Sequence, residues 1–256
     1  MDEKKKSPLQ QKPLRHAGQS LDEEIDKLLT DKVLLYIIIP FIFSFAAFIQ
    51  WQSFLSEKKI NPALMTGVAL ISIVICTLKL IKAKKKLNNL RLGRDGERIV
   101  GEILDNLRAK GCRVFHDLVG ERGNVDHLII SQKGIFVVET KTVSKPKKKN
   151  AKILYDGHML SINGYKTDDP LNQVSCQSTW IKETLSESTG KNFQVRSVIL
   201  YPGWYVKMNN NAMKSNTWAL KPENLLRFIE KLPNVIPRNE MMMAAFHISR
   251  FIRSSH

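Results

Sequence analysis

Cysteine is scarce in this 256-residue chain. Cys76, Cys112 and Cys176 stand far apart and form no CxxC pair. That spacing argues against a zinc site built from them and gives no disulfide framework, so a reducing compartment is the simplest setting. Acid is also in short supply. The chain has 24 Asp and Glu against 40 Lys and Arg, a formal charge of +16 with a pI near 9.8. Such an imbalance points to an anionic partner, either nucleic acid or a lipid surface. No internal repeat is visible.

Charge of either sign is missing altogether over residues 33–56. As a helix this run is about 36 Å long, enough to cross a hydrocarbon core of roughly 30 Å. Pro40 lies inside it, and Trp51 sits where an interfacial aromatic belongs. A second uncharged run covers residues 60–78, and only Glu57, Lys58 and Lys59 separate the two. Two buried helices of a soluble core would be the bland alternative, but uncharged runs this long are uncommon there. A cleaved signal peptide fits worse, because its apolar stretch is about 7–15 residues long and starts nearer the N-terminus. The pair therefore reads as a membrane hairpin. Lys79, Lys82, Lys84, Lys85, Lys86, Arg91 and Arg94 follow it. By the positive-inside rule that flank is cytoplasmic, and two spans bring the N-terminal tail to the same side. Much of the +16 is thus a matter of topology and anionic head groups.

The expected organisation follows. A polar tail over 1–32 precedes a membrane hairpin over 33–82, with spans at about 33–54 and 60–80. A basic linker over 83–91 leads to an α/β domain over 92–232, and a basic tail over 233–256 carries helical patterning from Met241. Within the domain, residues 93–110 read as a helix with Ile99, Val100, Ile103, Leu104 and Leu107 on its apolar stripe, ended by Gly111. A first strand, CRVFHDLV, comes next. ILYDGHMLSINGYK reads as a small strand pair, Asp169-Pro170 opens a second helix, and FQVRSVILYP is a further strand.

The central feature is NVDHLIISQKGIFVVETK, residues 124–141. Two short Val/Ile-rich runs flank a turn at Gln132-Lys133-Gly134, the pattern of a β-hairpin. Asp126 opens the first strand, and Glu139 and Lys141 close the second. Antiparallel pairing places Asp126 near Glu139 and Lys141, and residues two apart on a strand share a face. Two carboxylates and an ammonium therefore meet at one end of an apolar hairpin. A hard divalent cation suits such a pair, since Mg²⁺ takes one or two carboxylates with water and phosphate oxygens. The Thr140 carbonyl can add a backbone ligand. Lys141, a compact charge, can orient or acidify an attacking water, or stabilise developing charge. His127 faces away from Asp126, and His116 and Asp117, as strand neighbours, point apart, so none of these is taken as an acid–base pair. Tyr201, Trp204, Tyr205 and Trp218 suit core or dimer packing better than base stacking. A strand-end salt bridge between Glu139 and Lys141 is the plainer alternative for the hairpin charges.

With D…ExK across these strands, and the order helix, three strands, helix, strand, the chain resembles the PD-(D/E)xK nuclease superfamily. More narrowly it resembles the nuclease-related domain, NERD. The matching pieces are Gly93-Arg94-Asp95-Gly96-Glu97, Val125-Asp126-His127-Leu128, Gly134 through Lys141, and Asp169-Pro170-Leu171-Asn172-Gln173. Val125 stands where the superfamily motif has Pro. The resemblance implies a restriction-endonuclease-like core, a mixed sheet flanked by helices, preceded here by two transmembrane helices. It implies a site of Glu97, Asp126, Glu139, Lys141 and Gln173, with Mg²⁺ or Mn²⁺ on Asp126, Glu139, the Thr140 carbonyl and Glu97. The expected function is a nuclease or nickase acting on nucleic acid, DNA first, held in the inner membrane with the domain and both termini in the cytoplasm. Pairing into a homodimer is compatible with this sequence. The competing expectation is a non-catalytic module that binds nucleic acid or protein on a nuclease-like scaffold.

Overall fold

In the computed structural model, residues 13–56, 61–120, 123–146 and 151–254 are described. They fall into two compact units, one of the described residues up to Ser20 together with Gly93 onward, the other Leu21–Leu92.

The second unit is built on helices. Helix α1 (Gln19–Leu28) runs through a π turn at Leu29–Val33 into α2 (Leu34–Leu55), and α3 (Ala63–Asp105) follows. Both helical stretches are long and apolar enough to cross a membrane, and their most apolar windows are only 6% and 17% buried. Phe41, Phe45, Leu64 and Ile71 are among the large apolar side chains left exposed. Inside this unit Trp51 Nε1 donates to Thr66 Oγ1 at 3.0 Å, Lys79 lies over the Tyr36 ring, and Lys86 pairs with Glu24. The sequence placed a separate linker at residues 83–91 and a fresh helix at Gly93; α3 instead runs through both. KAKKKLNNLR holds no proline or glycine and is made mostly of good helix formers, so nothing in it stops the helix.

The first unit holds the sheets. Strands β1 (Arg113–Gly120), β2 (Gly123–Ser131) and β3 (Gly134–Thr140) form an antiparallel meander. Two parallel strands, β7 (Val195–Leu200) and β9 (Thr217–Leu220), extend it to the order β1-β2-β3-β7-β9. This is the expected mixed sheet. In β2 and β3 consecutive residues are buried, from His127 to Ser131 and from Ile135 to Thr140. Both faces are therefore covered, which explains apolar runs without polar alternation. The end of α3 buries Val100 and Leu104 in this core. Helix α4 (Asp169–Thr189) packs on β2, β3 and β7, and Gly190 ends it in the left-handed conformation.

A smaller sheet, in the order β6-β5-β4-β8, comprises β4 (Lys152–Tyr155), β5 (Leu160–Ile162), β6 (Tyr165–Thr167) and β8 (Tyr205–Met208). The expected strand pair is thus three strands, and β8 joins from beyond α4 by parallel pairing with β4. Short helices α5 (Asn210–Lys214) and α6 (Pro222–Lys231) follow. The C-terminal tail becomes α7 (Arg238–Ser254), with Met241, Ala244, Ala245, Ile248 and Ile252 buried along one stripe. It packs on α4, β1 and β2, so it belongs to the domain core. Tyr201, Trp204 and Trp218 are core residues as expected, and Tyr205 is exposed.

Gly120 tests this packing. A Cβ there would lie 2.2 Å from the Trp180 ring, which is itself buried. Gly120→Ala is expected to cost about 1–3 kcal/mol through overpacking, read from urea denaturation, whereas an unchanged midpoint would show that Trp180 moves freely.

Candidate active site

The register of the meander assembles the site. Residues opposite one another in β1 and β2 include His116 with His127 and Leu118 with Val125, which sets Asp117 opposite Asp126. The β2–β3 ladder ends at His127 with Val138, and the next step sets Asp126 opposite Glu139. Asp117, Asp126 and Glu139 therefore occupy one cross-strand row. Directly opposite residues share a face, so Asp126 and Glu139 stand side by side, and Asp117 joins them at a break in the β1–β2 ladder, near enough to act on Glu97. Asp117 holds φ +52°, a conformation uncommon for residues other than glycine. Glu97 comes to the row from α3. Gly96 beside it has no room for a side chain, because a Cβ would lie 2.5 Å from Thr142 just beyond β3.

Hydrogen bonds tie the sequence-predicted residues together. Lys141 Nζ donates to Glu139 Oε1 at 2.6 Å and to Gln173 Oε1 at 2.7 Å. Gln173 Nε2 donates to the same Glu139 oxygen at 2.8 Å. The Thr140 amide donates to Asp126 Oδ2 at 2.7 Å. Gln173 enters from the first turn of α4, and Gln177, one turn later on the same face, was not foreseen. Its Nε2 donates to Glu139 Oε2 and to the Asn124 carbonyl, each at 2.7 Å. The i, i+4 spacing from Gln173 was the available signal.

Three further residues join the site: Asp117, which the sequence sets only beside His116, and Arg15 and Ser20, which no motif marks. Asp117 is 2% exposed, and its carboxylate accepts from Arg15 Nε at 2.6 Å and from the Ser20 amide at 2.8 Å. The Ser20 hydroxyl also donates to it, and Asn124 Nδ2 donates to Ser20 Oγ at 3.0 Å. Arg15 and Ser20 lie in the segment expected to be a polar tail. No local pattern reveals contacts across 102 and 97 residues.

On the other face of the hairpin lies a histidine pair. His116 Nδ1 and His127 Nδ1 are 2.8 Å apart, so one must donate and the other accept. His116 Nε2 meets Asp105, and His127 Nε2 meets Thr140 Oγ1. Burial lowers both imidazoles, His127 well below its usual range, which keeps it neutral. His127 therefore packs and orients Thr140, and it is not beside Asp126. His116 and Asp117 do point apart.

The electrostatics of the row are unbalanced. Burial pushes the Glu97 carboxyl up to about 8, helped by Asp117 and Glu139 and opposed by the Gly18 backbone and Lys141. Burial also raises Asp126 well above the usual carboxylate range, with Glu139 and Glu97 adding to it. Two half-buried acids set among like charges favour a proton or a metal cation. Gln177 Oε1 and Tyr201 Oη are buried without a protein hydrogen-bond partner. The Tyr201 phenol is pushed up by burial and by Glu139, which places it close to the row. Among the described residues, no group of three or more His, Cys, Asp or Glu is already arranged to hold a metal ion. Both Glu139 oxygens and one Asp126 oxygen accept from protein donors. By donor chemistry, excess negative charge and orphaned polar atoms, the residues fit a hard divalent cation.

Comparison with known proteins agrees with this fold. Residues 92–202 match the family model of the nuclease-related domain. An uncharacterized protein of Bacillus anthracis is 37% identical over 54 residues, 19% of this chain and 26% of that protein. The chain thus spans about a quarter of that relative. No solved structure matches.

The Glu97 shift fixes a pH dependence. Its folded value, about 8, lies above the ordinary 4.5, so at intermediate pH the folded chain holds a proton that the unfolded chain has lost. Stability then falls as pH rises between those values, at up to about 1.4 kcal/mol per unit. Denaturation of metal-free protein should show its midpoint dropping from pH 5 to pH 8, and Glu97→Gln should flatten that slope. An equal slope in both proteins would remove Glu97 from the account.

Proposed function

We propose that the chain is a membrane-anchored, metal-dependent nuclease that faces the cytoplasm and hydrolyses phosphodiester bonds in nucleic acid, DNA first. The observation that carries the reading is the carboxylate row with Lys141 locked at its end. Asp126 and Glu139, with Glu97 and the Thr140 carbonyl, are the groups that would hold Mg²⁺ or Mn²⁺. Such an ion, when bound, neutralises phosphate charge and supplies an acidified water. Lys141 is the general positioning charge: its two hydrogen bonds to Glu139 and Gln173 leave the ammonium fixed, ready to stabilise negative charge that develops on phosphate. Gln173 and Gln177 hold Glu139 in place from one helix face.

The smaller sheet supports a nucleic-acid substrate. Its strands β4 to β6 are inserted between Lys141 and Gln173. Lys152, Leu154, Tyr205 and Lys207 alternate onto exposed positions of neighbouring strands, and Lys166 is exposed beside them. Lysines with an exposed tyrosine suit phosphates and stacked bases. The basic run within α3, after its apolar part, supports the cytoplasmic side. Contact between Ser20 and Asp117 agrees with an even number of spans, since it brings the residues before the first apolar helix to the domain.

The competing reading, a non-catalytic binding module, draws on the engagement of both Glu139 oxygens, which suits a purely structural network. Plasmid nicking by the full-length chain separates the two. Nicking is expected with Mg²⁺ and not with EDTA, lowered at least about 100-fold in Asp126→Ala and in Lys141→Ala. Metal-independent or absent nicking, with intact salt-dependent binding, would favour the binding module.

A further inference from the structure

The strap of residues 14–20 lies outside the matched domain, which starts at residue 92, yet it is built into the acid site. Arg15 is 6% exposed although it belongs to a polar segment. Its guanidinium pairs with the buried Asp117 carboxylate, and Ser20 adds its amide and hydroxyl to the same group. The Gly18 backbone bonds Glu97. Shape locks the same segment down. Gly18, at φ +75°, lies so close to Arg94 that a Cβ would come within 3.1 Å of it. On α3, Gly101 leaves room for Ala17, whose Cβ would lie 2.8 Å from a side chain there.

These contacts divide the row. Lys141 serves the Glu139 end and Arg15 the Asp117 end, so each outer acid has its own cation. Asp126 and Glu97 remain between them. Without the strap, Asp117 would be a buried carboxylate with no counter-ion beside Glu97, and it would turn toward whatever cation entered the site. Glu97 would lose a backbone donor and its fixed place.

We propose that Arg15, Gly18 and Ser20 are positioning residues of the acid site, so that the site is complete only when the N-terminal strap is docked. This rests on the metal-dependent reading above. It also means that a domain cut at residue 92 has an incomplete site. The strap holds Asp117 aside and Glu97 in place, which keeps the row ordered for one divalent cation. Docking and metal binding therefore support each other, and by linkage metal must tighten docking to the same degree.

The full-length chain in detergent micelles provides the test, with trypsin, Mn²⁺ calorimetry and nicking as three readouts. Arg15 is a tryptic site that docking buries. Gly101→Val crowds Ala17 and also faces the His116 ring, so Ser20→Ala, which removes only a hydroxyl donor to Asp117, is the milder second variant in case the first misfolds. In the wild type, cleavage after Arg15 should be slow and slower still with Mn²⁺. Both variants should be cut faster, bind Mn²⁺ more weakly, and lose kcat with KM unchanged, by about tenfold for Gly101→Val, equivalent to a coupling of about 1.4 kcal/mol. Arg15→Lys should keep part of the activity that Arg15→Gln loses. Fast cleavage after Arg15 in the wild type would overturn the proposal. So would variants that expose Arg15 but keep wild-type Mn²⁺ affinity and turnover, with the nuclease reading left standing. A wild type that neither binds Mn²⁺ nor nicks would sink that reading and this proposal together.

Discussion

Carboxylate repulsion governs this domain. Glu97, Asp117, Asp126 and Glu139 act on one another at the edge of an apolar core. Two unit charges 4 Å apart repel by about 4 kcal/mol at an effective dielectric of 20. A fold of ordinary stability, about 5–15 kcal/mol, cannot hold four such charges unaided. The surroundings of the row answer that load. Lys141, Gln173 and Gln177 surround Glu139; the Thr140 amide holds Asp126; Arg15 and Ser20 hold Asp117. What is left falls on Glu97 and Asp126, whose raised values mark charge that these donors do not offset.

The same constraint explains how much could be read from the sequence. Asp126, Glu139 and Lys141 were legible because strand alternation and antiparallel pairing are local rules. Gln173 came from the resemblance, and Gln177 lies one helical turn beyond it on the same face. Asp117 points away from His116, as strand neighbours do, but its nearness to the other acids depends on the β1–β2 register. Arg15 and Ser20 were hidden for a different reason. A polar segment with lysines and prolines before it reads as a solvated tail, and its burial depends on one distant carboxylate.

Fold-level reading shows a similar division. The meander, α4 and β7 followed from periodicity and glycine stops. The smaller sheet did not, because β8 reaches β4 across α4 and β7, and short strands carry weak patterns. The charge boundary at Lys79 suggests a structural boundary, yet α3 is continuous across it. Helix propensity does not change where apolar residues give way to lysine, so membrane-type and soluble-type segments can share one helix.

The central claim is that the row is short of positive charge and that a divalent cation supplies it. Titrating Mn²⁺ into the full-length protein at pH 7, in two buffers of different ionisation heat, measures it directly. Metal binding to protonated acids must release protons. The account predicts one-site binding with proton release, diminished in Glu97→Gln and abolished with binding in Asp126→Asn. Binding that releases no protons, or no binding at all in the wild type, would contradict it.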